Sequence, residues 1–434
     1  MGLIILLSTM VILLFIGSPV IVALGASSLI YFLFVPGKFA YLPMYSELFF
    51  SGMNSFLFLC IPLFILGGAI MQKNKMIDDL VDFANLIVGR LRGGLAYMTI
   101  VACMIMGGIT GSALAEVSAI GPVSTKAMKD QGYPPAFAAA ITASASLQGP
   151  IIPPSLPMII YASVTNTSVG ALFLGGAIPG IMIGLGLMVV VAFQAKRRHF
   201  PKSSQKRTLK EIGRITFNSL TSILMPIIII GGIITGAFTP TESAAVAVAY
   251  GIIVTYTVAI KKSPIGFADW LELLASTTRT TSQLYLIIGF ALLLSWIFAI
   301  ENIPSLITNW VVSHNMSVYQ LLFIVNVIFL INGCFVSDVL QIILFAPIFA
   351  PIFQSMGIHP VQFGVMMVLN VVIGMVTPPY GTGLYLAAAV GKVGLKELVI
   401  ETIPMTCSSI VVLFITAYVP WVVLFLPRVL GWIH

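Results

Sequence analysis

Residues 149–157 read "GPIIPPSLP" and place four prolines between two apolar runs. Proline has no backbone N–H and interrupts the interior of a helix. Inside a bilayer every backbone polar group needs a partner, so a broken helix is tolerated only where it is buried in protein or lines a cavity. A closely similar stretch, "GMVTPPYGTG", occupies residues 374–383. Any fold for this chain therefore has to accommodate two interrupted helices.

The composition is that of an integral membrane protein. The chain has 434 residues, of which 59% are hydrophobic and 8% charged, whereas a soluble domain carries about 25% charged residues. The apolar stretches are about 20 residues long and do not alternate, which favours helices over a barrel. The first apolar run continues past Ser18 to about Val35 without a preceding basic segment. It is therefore expected to be a retained membrane segment and not a signal peptide.

Charge is concentrated in one segment. Eight of the 21 Lys and Arg residues lie in 196–214. By the positive-inside rule, 196–215 is predicted to be a cytoplasmic loop, and no nucleic-acid partner is expected. Lys261 and Lys262 should lie on the same side. Residues 75–94 have apolar side chains at helical spacing opposite charged ones, which predicts an interfacial amphipathic helix; 268–274 ("ADWLELL") is interpreted as a shorter one.

The two halves of the chain share their glycines and prolines at one constant shift of 225 residues, as from Gly108 to Gly333. The same shift relates Ser112 to Ser337, Pro122 to Pro347, Gly149 to Gly374, and Pro153-Pro154 to Pro378-Pro379. A two-fold repeat in a helical membrane protein is typical of secondary transporters, whose repeats are often inverted and whose sites lie at broken helices. We predict an all-α polytopic protein with a first repeat at 1–195 and an inverted second repeat at 216–434.

Each half also contains a small polar turn between two apolar arms. The arms, of about 12 to 18 residues, are too short to span a bilayer comfortably. We therefore predict re-entrant hairpins at about 100–126 and about 318–353. The proline pairs predict broken helices at about 134–165 and about 360–390.

The hairpin tips and the breaks supply oxygen atoms for a cation. Uncharged oxygen donors suit a weakly bound monovalent ion such as Na+, whereas calcium would require more carboxylates; no other metal is expected. The alternative is that the glycines and serines only allow helices to pack closely. The candidate Na+ ligands are Gly108, Thr110, Ser112 and Gly149 in the first repeat and Asn332, Gly333, Ser337, Asp338, Gly374, Thr377 and Thr382 in the second.

Three acidic residues leave alternatives open. A carboxylate in an apolar segment is a candidate functional group, and the position matching Asp338 is Ala113, so the two sites are not equivalent. Asp338 could instead cap a helix, and proton coupling through Asp338 or Glu116 stays open. Glu242, in "TPTES", is interpreted as part of a helix cap.

An enzyme is not expected. The sequence contains no Walker A, GxSxG or HExxH motif, and its four cysteines are scattered through apolar runs.

Several long motifs closely resemble the large membrane subunit of the tripartite ATP-independent periplasmic (TRAP) transporters. They are "GGITGSALAEVSAIG", "GYPPAFAAAITASASLQGPIIPPS", "ALFLGGAIPG", "GAFTPTESAAVAVAYG" and "NVVIGMVTPPYGTGLYLAAAV". The resemblance covers essentially the whole chain. It implies an elevator-type transporter of the bacterial inner membrane that imports an organic acid, such as sialic acid or a C4-dicarboxylate, with Na+ as the coupling ion.

The same resemblance implies two protein partners: a periplasmic substrate-binding protein and a separate small four-helix membrane subunit. The substrate carboxylate is expected to meet helix N-termini and hydroxyls between the hairpins. Candidate substrate ligands are Ser155, Thr110, Asp338 and Arg279. The alternatives are a stand-alone Na+/dicarboxylate symporter of the divalent-anion type and a passive channel.

Overall fold

The computed structural model describes residues 2–74, 76–202, 208–257 and 265–433. Within these ranges the chain forms twenty α-helices. The first half contains α1 (Gly2–Phe15), α2 (Val20–Phe34), α3 (Met44–Met53), α4 (Cys60–Lys73), α5 (Met76–Val88), α6 (Gly94–Thr110), α7 (Ala113–Asp130), α8 (Pro135–Ala145), α9 (Leu156–Thr165) and α10 (Val169–Arg197). The second half contains α11 (Leu209–Ile234), α12 (Pro240–Thr257), α13 (Phe267–Ile300), α14 (Ile303–Ser313), α15 (Val318–Gly333), α16 (Asp338–Ser355), α17 (Pro360–Gly374), α18 (Thr382–Gly391), α19 (Leu395–Tyr418) and α20 (Pro420–Val429).

Several helices begin at capping residues that the sequence makes recognisable. Thr208 and Glu211 form a reciprocal capping box at the start of α11. At α12, the Glu242 carboxylate accepts a hydrogen bond from the Thr239 N–H at 2.8 Å, and the Thr239 hydroxyl accepts one from the Glu242 N–H at 3.3 Å. These bonds satisfy N–H groups that a helix start leaves unpaired. The capping interpretation of Glu242 is therefore confirmed.

Among the described residues, six helices are long and apolar enough to cross a membrane. They lie at Phe56–Lys73, Val169–Arg197, Leu209–Ile234, Phe267–Ile300, Asp338–Ser355 and Leu395–Tyr418. Most of the shorter apolar helices belong to the hairpins or to the broken helices described next. The predicted all-α polytopic class is confirmed.

Both predicted hairpins and both broken helices are present. Helices α6 and α7 form the first hairpin, and α15 and α16 form the second. The first broken helix consists of α8, a 3-10 turn at Ser146–Gln148 and α9. The second consists of α17 and α18, which are separated by residues 375–381.

The second repeat is inverted relative to the first. Helices α10 and α19 occupy equivalent positions in the two repeats and pack against each other. Arg198, at the end of α10, forms a 2.8 Å ion pair with Glu401, near the start of α19. Gly186 lies farther back on α10 and faces Ser408, farther along α19. The two equivalent helices are therefore antiparallel.

Two groups of helices can be distinguished. The hairpins and broken helices, together with α10, α19 and α20, form a central bundle; α1 to α5 and α11 to α14 form a scaffold beside it. Helix α5 lies in the predicted interfacial segment at 75–94, and its buried face packs on α6 and α11. Ser219 and Ser222 of α11 donate hydrogen bonds to the Asp79 and Met76 carbonyls of α5, at 2.8 and 3.1 Å. These bonds hold α5 in the scaffold.

Two segments differ from the simplest expectation. Residues 268–274 are not a separate amphipathic helix, because they form the first turns of the 34-residue helix α13. Helices α10 and α11 extend into the predicted basic loop from both sides, which leaves 198–208 between them. Within that loop 203–207 lie outside the described residues, as do Lys261 and Lys262.

The second hairpin packs on the second break through two glycines. A Cβ atom on Gly374 would lie 2.5 Å from the Gly333 Cα, and one on Gly333 would lie 2.9 Å from the Gly374 Cα. Such distances leave no room for a methyl group. The backbone of the break and that of the hairpin are therefore in direct contact.

This contact predicts that Gly374→Ala destabilises the purified protein by about 1–3 kcal/mol, because the added methyl group separates two packed backbones. Thermal unfolding in detergent without added Na+ measures the change. The matched control is Gly231→Ala on α11, where a Cβ would meet nothing within 4 Å. The control should be neutral or stabilising by up to about 1 kcal/mol. Equal melting temperatures for the two variants would contradict the packing argument.

Candidate functional site

The first hairpin tip lies directly on the first proline break. Gly111, at the tip, has φ +60°, and a Cβ atom there would lie 2.5 Å from the Pro154 carbonyl oxygen. Only a glycine allows both the left-handed backbone and this close approach. Among the described residues, no hydrogen bond reaches the carbonyl oxygens of Pro153 or Pro154. The break thus leaves bare peptide oxygens beside the tip.

Ser155 begins the helix after the break. Its hydroxyl accepts a hydrogen bond from the Met158 N–H at 3.2 Å and donates one to the Pro150 carbonyl. The side chain is fully buried. Ser155 therefore acts as a helix cap in this structure and closes the break onto α9.

The second break uses some of its predicted ligands internally. The Thr377 hydroxyl donates to the Ile373 carbonyl at 2.8 Å, and the Thr377 N–H donates to the Gly374 carbonyl at 3.0 Å. The Asn332 carbonyl accepts from two N–H groups of the tip at 2.9 Å. A hydroxyl that donates one hydrogen bond keeps its lone pairs, so Thr377 can still coordinate a cation. Thr382 and Ser337 are exposed at the starts of α18 and α16.

A cavity of about 470 Å³ lies between the bundle and the scaffold. Hairpin tips and α9 form its bundle side, and α4 and α13 form its scaffold side. Three of the predicted ligands line it: Thr110, Ser112 and Asp338. The other predicted residues do not: Gly108, Gly149, Ser155, Arg279, Asn332, Gly333, Ser337, Gly374, Thr377 and Thr382. Arg279 is exposed on α13, outside the cavity.

A larger cavity of about 810 Å³ lies between the starts of α10 and α17 and the end of α20. None of the predicted site residues lines it. The smaller cavity is the better candidate site because the hairpin tips of both repeats meet there.

Two helix N-termini open into this cavity. In α7 the first N–H to bond back is that of Glu116, to the Ser112 carbonyl at 3.2 Å; in α16 it is that of Gln341, to the Ser337 carbonyl at 3.1 Å. Neither N-cap residue, Ser112 in α7 or Ser337 in α16, makes a side-chain cap bond. At the start of α7 the preceding N–H groups are therefore available, and the positive end of that helix dipole attracts an anion. At the start of α16 the Asp338 carboxylate accepts from the N–H groups of Asp338 and Val339.

The Asp338 carboxylate lines the same cavity and would repel an anion. Attraction of an anion by the helix N-terminus and its repulsion by Asp338 are compatible when a cation lies between the anion and Asp338, because opposite charges then alternate. Bare peptide oxygens, hydroxyls and one carboxylate are the hard donors that Na+ accepts. The residues present therefore fit a monovalent cation such as Na+.

The scaffold side of the cavity was not predicted from the sequence. Ser276, Thr277 and Thr280 of α13 and Gln72 of α4 line it. Their spacing places the three α13 hydroxyls near one face of the helix. Only the packing of α13 beside the cavity shows that this face is directed toward the hairpin tips. The hydroxyls of Thr277 and of Thr110, across the cavity, are buried without a hydrogen-bond partner among the described residues. A ligand that bonds both would connect the scaffold to the bundle.

The fold and this cavity define a membrane transporter of the elevator-type architecture. The backbone is similar to that of two solved transporters, which shows the fold alone. MtrF of Neisseria gonorrhoeae matches with TM-score 0.63 and 15% identity, over 89% of this chain and 84% of that one. The YdaH transporter of Alcanivorax borkumensis matches with TM-score 0.63 and 14% identity, over 90% of each chain.

Sequence comparison shows the family. The family model "Tripartite ATP-independent periplasmic transporter, DctM component" matches residues 7–422, and the chain belongs to this family. The C4-dicarboxylate TRAP transporter large permease protein DctM of Pseudomonas aeruginosa is 39% identical, over 86% of each chain. The sialic acid TRAP transporter large permease protein SiaM of Vibrio cholerae is 35% identical, over 87% of this chain and 88% of that protein. A Salmonella typhimurium protein, YgiK, is 37% identical over 98% of this chain and 97% of its own length.

We expect Thr277→Val to raise the KM for uptake about tenfold or more. A hydrogen bond to a charged group contributes about 1.5–3 kcal/mol, and 1.4 kcal/mol is tenfold in affinity. Initial rates of substrate uptake by reconstituted protein measure the effect. The control is Thr278→Val, the next residue of α13, which is exposed and does not line the cavity. An unchanged KM in Thr277→Val would remove this residue from the site.

Proposed function

We propose that the protein is the large permease subunit of a Na+-coupled secondary transporter in the bacterial inner membrane, and that it imports an organic acid delivered by a periplasmic binding protein. The observation that carries the proposal is the 470 Å³ cavity between bundle and scaffold, where the uncapped N-terminus of α7 and the Asp338 carboxylate at the start of α16 meet.

The substrate class follows from the charge pattern of the cavity. The uncapped N-terminus of α7 can bind a carboxylate even though no Lys or Arg among the described residues lines the cavity. Named relatives in Pseudomonas aeruginosa and Vibrio cholerae are described as transporters of C4-dicarboxylate and sialic acid, both of which carry a carboxylate. We extend that shared chemistry to this chain.

Na+ is proposed as co-substrate because the cavity combines an anion site with a carboxylate. One positive charge moving through 100 mV releases about 2.3 kcal/mol, whereas tenfold accumulation of a solute costs about 1.4 kcal/mol. Two or more Na+ ions carried with a monoanion therefore give a net inward driving force.

The proposed movement is that of an elevator. The cavity lies at the boundary between two groups of helices, so a sliding bundle would carry the hairpin side of the cavity past α4 and α13. The paired glycines Gly333 and Gly374 support rigid movement, because they join hairpin and break by direct backbone contact. We assign the small membrane subunit to the scaffold and the binding protein to the periplasmic face.

Uptake into proteoliposomes tests the proposal. The permease is reconstituted with its small subunit, candidate binding proteins are added outside, and an inward Na+ gradient is imposed. The proposal expects uptake that requires both the binding protein and Na+ and that moves net positive charge inward. Na+-driven uptake without any binding protein would favour the stand-alone symporter, and flux without Na+ dependence would favour a channel.

The double substitution Ser337→Ala with Thr377→Ala is expected to raise the half-activating Na+ concentration about tenfold, because it removes two of the proposed oxygen ligands. Uptake rates as a function of Na+ concentration measure this. The control is Ser355→Ala with Thr416→Ala, whose hydroxyls bond carbonyls of their own helices far from the tips. An unaltered Na+ response in the first double variant would reject both ligands.

A further inference from the structure

Glu116 is the one carboxylate in the first turn of α7. Its side chain is 0% exposed. Neither carboxylate oxygen has a hydrogen-bond partner of ordinary geometry among the described residues; the Cys103 thiol of α6 is the polar group beside it. A buried ionised carboxylate without a partner is strongly unfavourable, so this position requires a positive counter-charge or a proton.

The carboxylate lies where the two arms of the hairpin meet the break. A Cβ atom on Gly149 would lie 2.5 Å from Oε1 of Glu116, and one on Gly107 would lie 3.4 Å from the same atom. The Gly149 carbonyl accepts no hydrogen bond from the described part of the chain. The Glu116 carboxylate is thus packed against the backbone of Gly149, a residue whose carbonyl is unpaired among the described residues, in the interior of the first repeat.

The second repeat has the same arrangement with a different side chain. The position equivalent to Glu116 is Gln341, and a Cβ atom on Gly333 would lie 3.4 Å from its Nε2. Gln341 donates to the Val336 carbonyl at 3.3 Å, and its own Oε1 is unpaired among the described residues. An amide therefore fills the place that Glu116 has in the first repeat.

Each hairpin nevertheless carries one carboxylate in the first turn of its second arm. The first repeat has Ala113 and Glu116, whereas the second has Asp338 and Gln341. The acid has moved by three residues, about one helical turn, between the repeats. One carboxyl group near each hairpin tip is thus kept although its position is not.

We propose that Glu116 is a direct ligand of a monovalent cation bound between the first hairpin and the first break, so that each repeat neutralises one cation with one carboxylate. This inference rests on the proposed Na+ coupling and names the charged ligand of one of its ions. A single carboxylate with otherwise uncharged oxygen donors favours a monovalent ion over Ca2+.

Binding of ²²Na+ to the purified permease in detergent tests the proposal without transport. Glu116→Gln is the informative variant, because glutamine fills the equivalent position in the second repeat. We expect it to lose one bound Na+ per protein, or to bind that ion at least tenfold more weakly. Asp130→Asn is the matched control: it removes the same charge from the exposed end of the same helix and should bind as the unmodified protein does.

A second variant keeps the test decisive if Glu116→Gln does not fold. Gly149→Ala leaves the carboxylate in the chain but places a methyl group 2.5 Å from its oxygen, so it should weaken the same ion. If the variants that fold bind Na+ with the same stoichiometry and affinity as the unmodified protein, the role of Glu116 is overturned while Na+ coupling still stands. An unmodified permease without saturable Na+ binding overturns the inference together with Na+ coupling.

Discussion

The structure depends on how peptide groups are satisfied where two helices stop inside the membrane. At each break the chain gives up helical hydrogen bonds, and lipid offers no substitute for them. The hairpins enclose these groups: Gly111 packs on Pro154 in the first repeat, and Gly333 packs on Gly374 in the second. These contacts require glycine, because any side chain would separate the two backbones. Because the hairpin tips enclose the breaks, the unpaired carbonyl oxygens of the breaks lie in the interior of the protein.

Inversion of the repeat makes the bundle a single unit. Helix α9, which follows the first break, packs on α16 of the second hairpin, and α18, which follows the second break, packs on α7 of the first. Each half therefore supports the hairpin of the other half. Packed helices therefore connect each tip to the break of the opposite repeat. Joint occupancy of the two proposed cation sites would follow from this exchange.

Local backbone features could be predicted from the sequence because glycine and proline determine backbone geometry locally. The constant shift from Gly108 to Gly333 predicts the repeat, the short apolar arms predict both hairpins, and the proline pairs predict both breaks. The helical spacing of apolar residues in 75–94 predicts α5. The continuity of α13 was not predicted, because the charged residues of 268–274 are equally typical of a short interfacial helix. Only the packing of α13 within the scaffold shows that these residues belong to the long helix and not to a separate interfacial one.

Side-chain environments were less predictable than the backbone. Thr277 contributes through a contact between helices that are distant in sequence, and the local pattern around it resembles many polar positions in membrane helices. The sequence places Arg279 beside an apolar segment, which made it a candidate ligand. In the structure it is exposed on a face of α13 that does not line the cavity. The burial of Glu116 results from three separate elements, α6, α7 and the first break, which no sequence window contains together.

Glu116 and Asp338 lie one helical turn apart in the two equivalent helices, and this difference affects the relative free energies of the transporter's two orientations. A perfectly symmetric inverted repeat would give the outward-open and inward-open forms equal intrinsic free energy. One acid is sealed inside the first hairpin and the other borders the cavity, so exchange of the two repeats' roles does not reproduce the same charge distribution. If the bundle slides as proposed, the empty carrier has a preferred resting orientation even when no ion gradient is present.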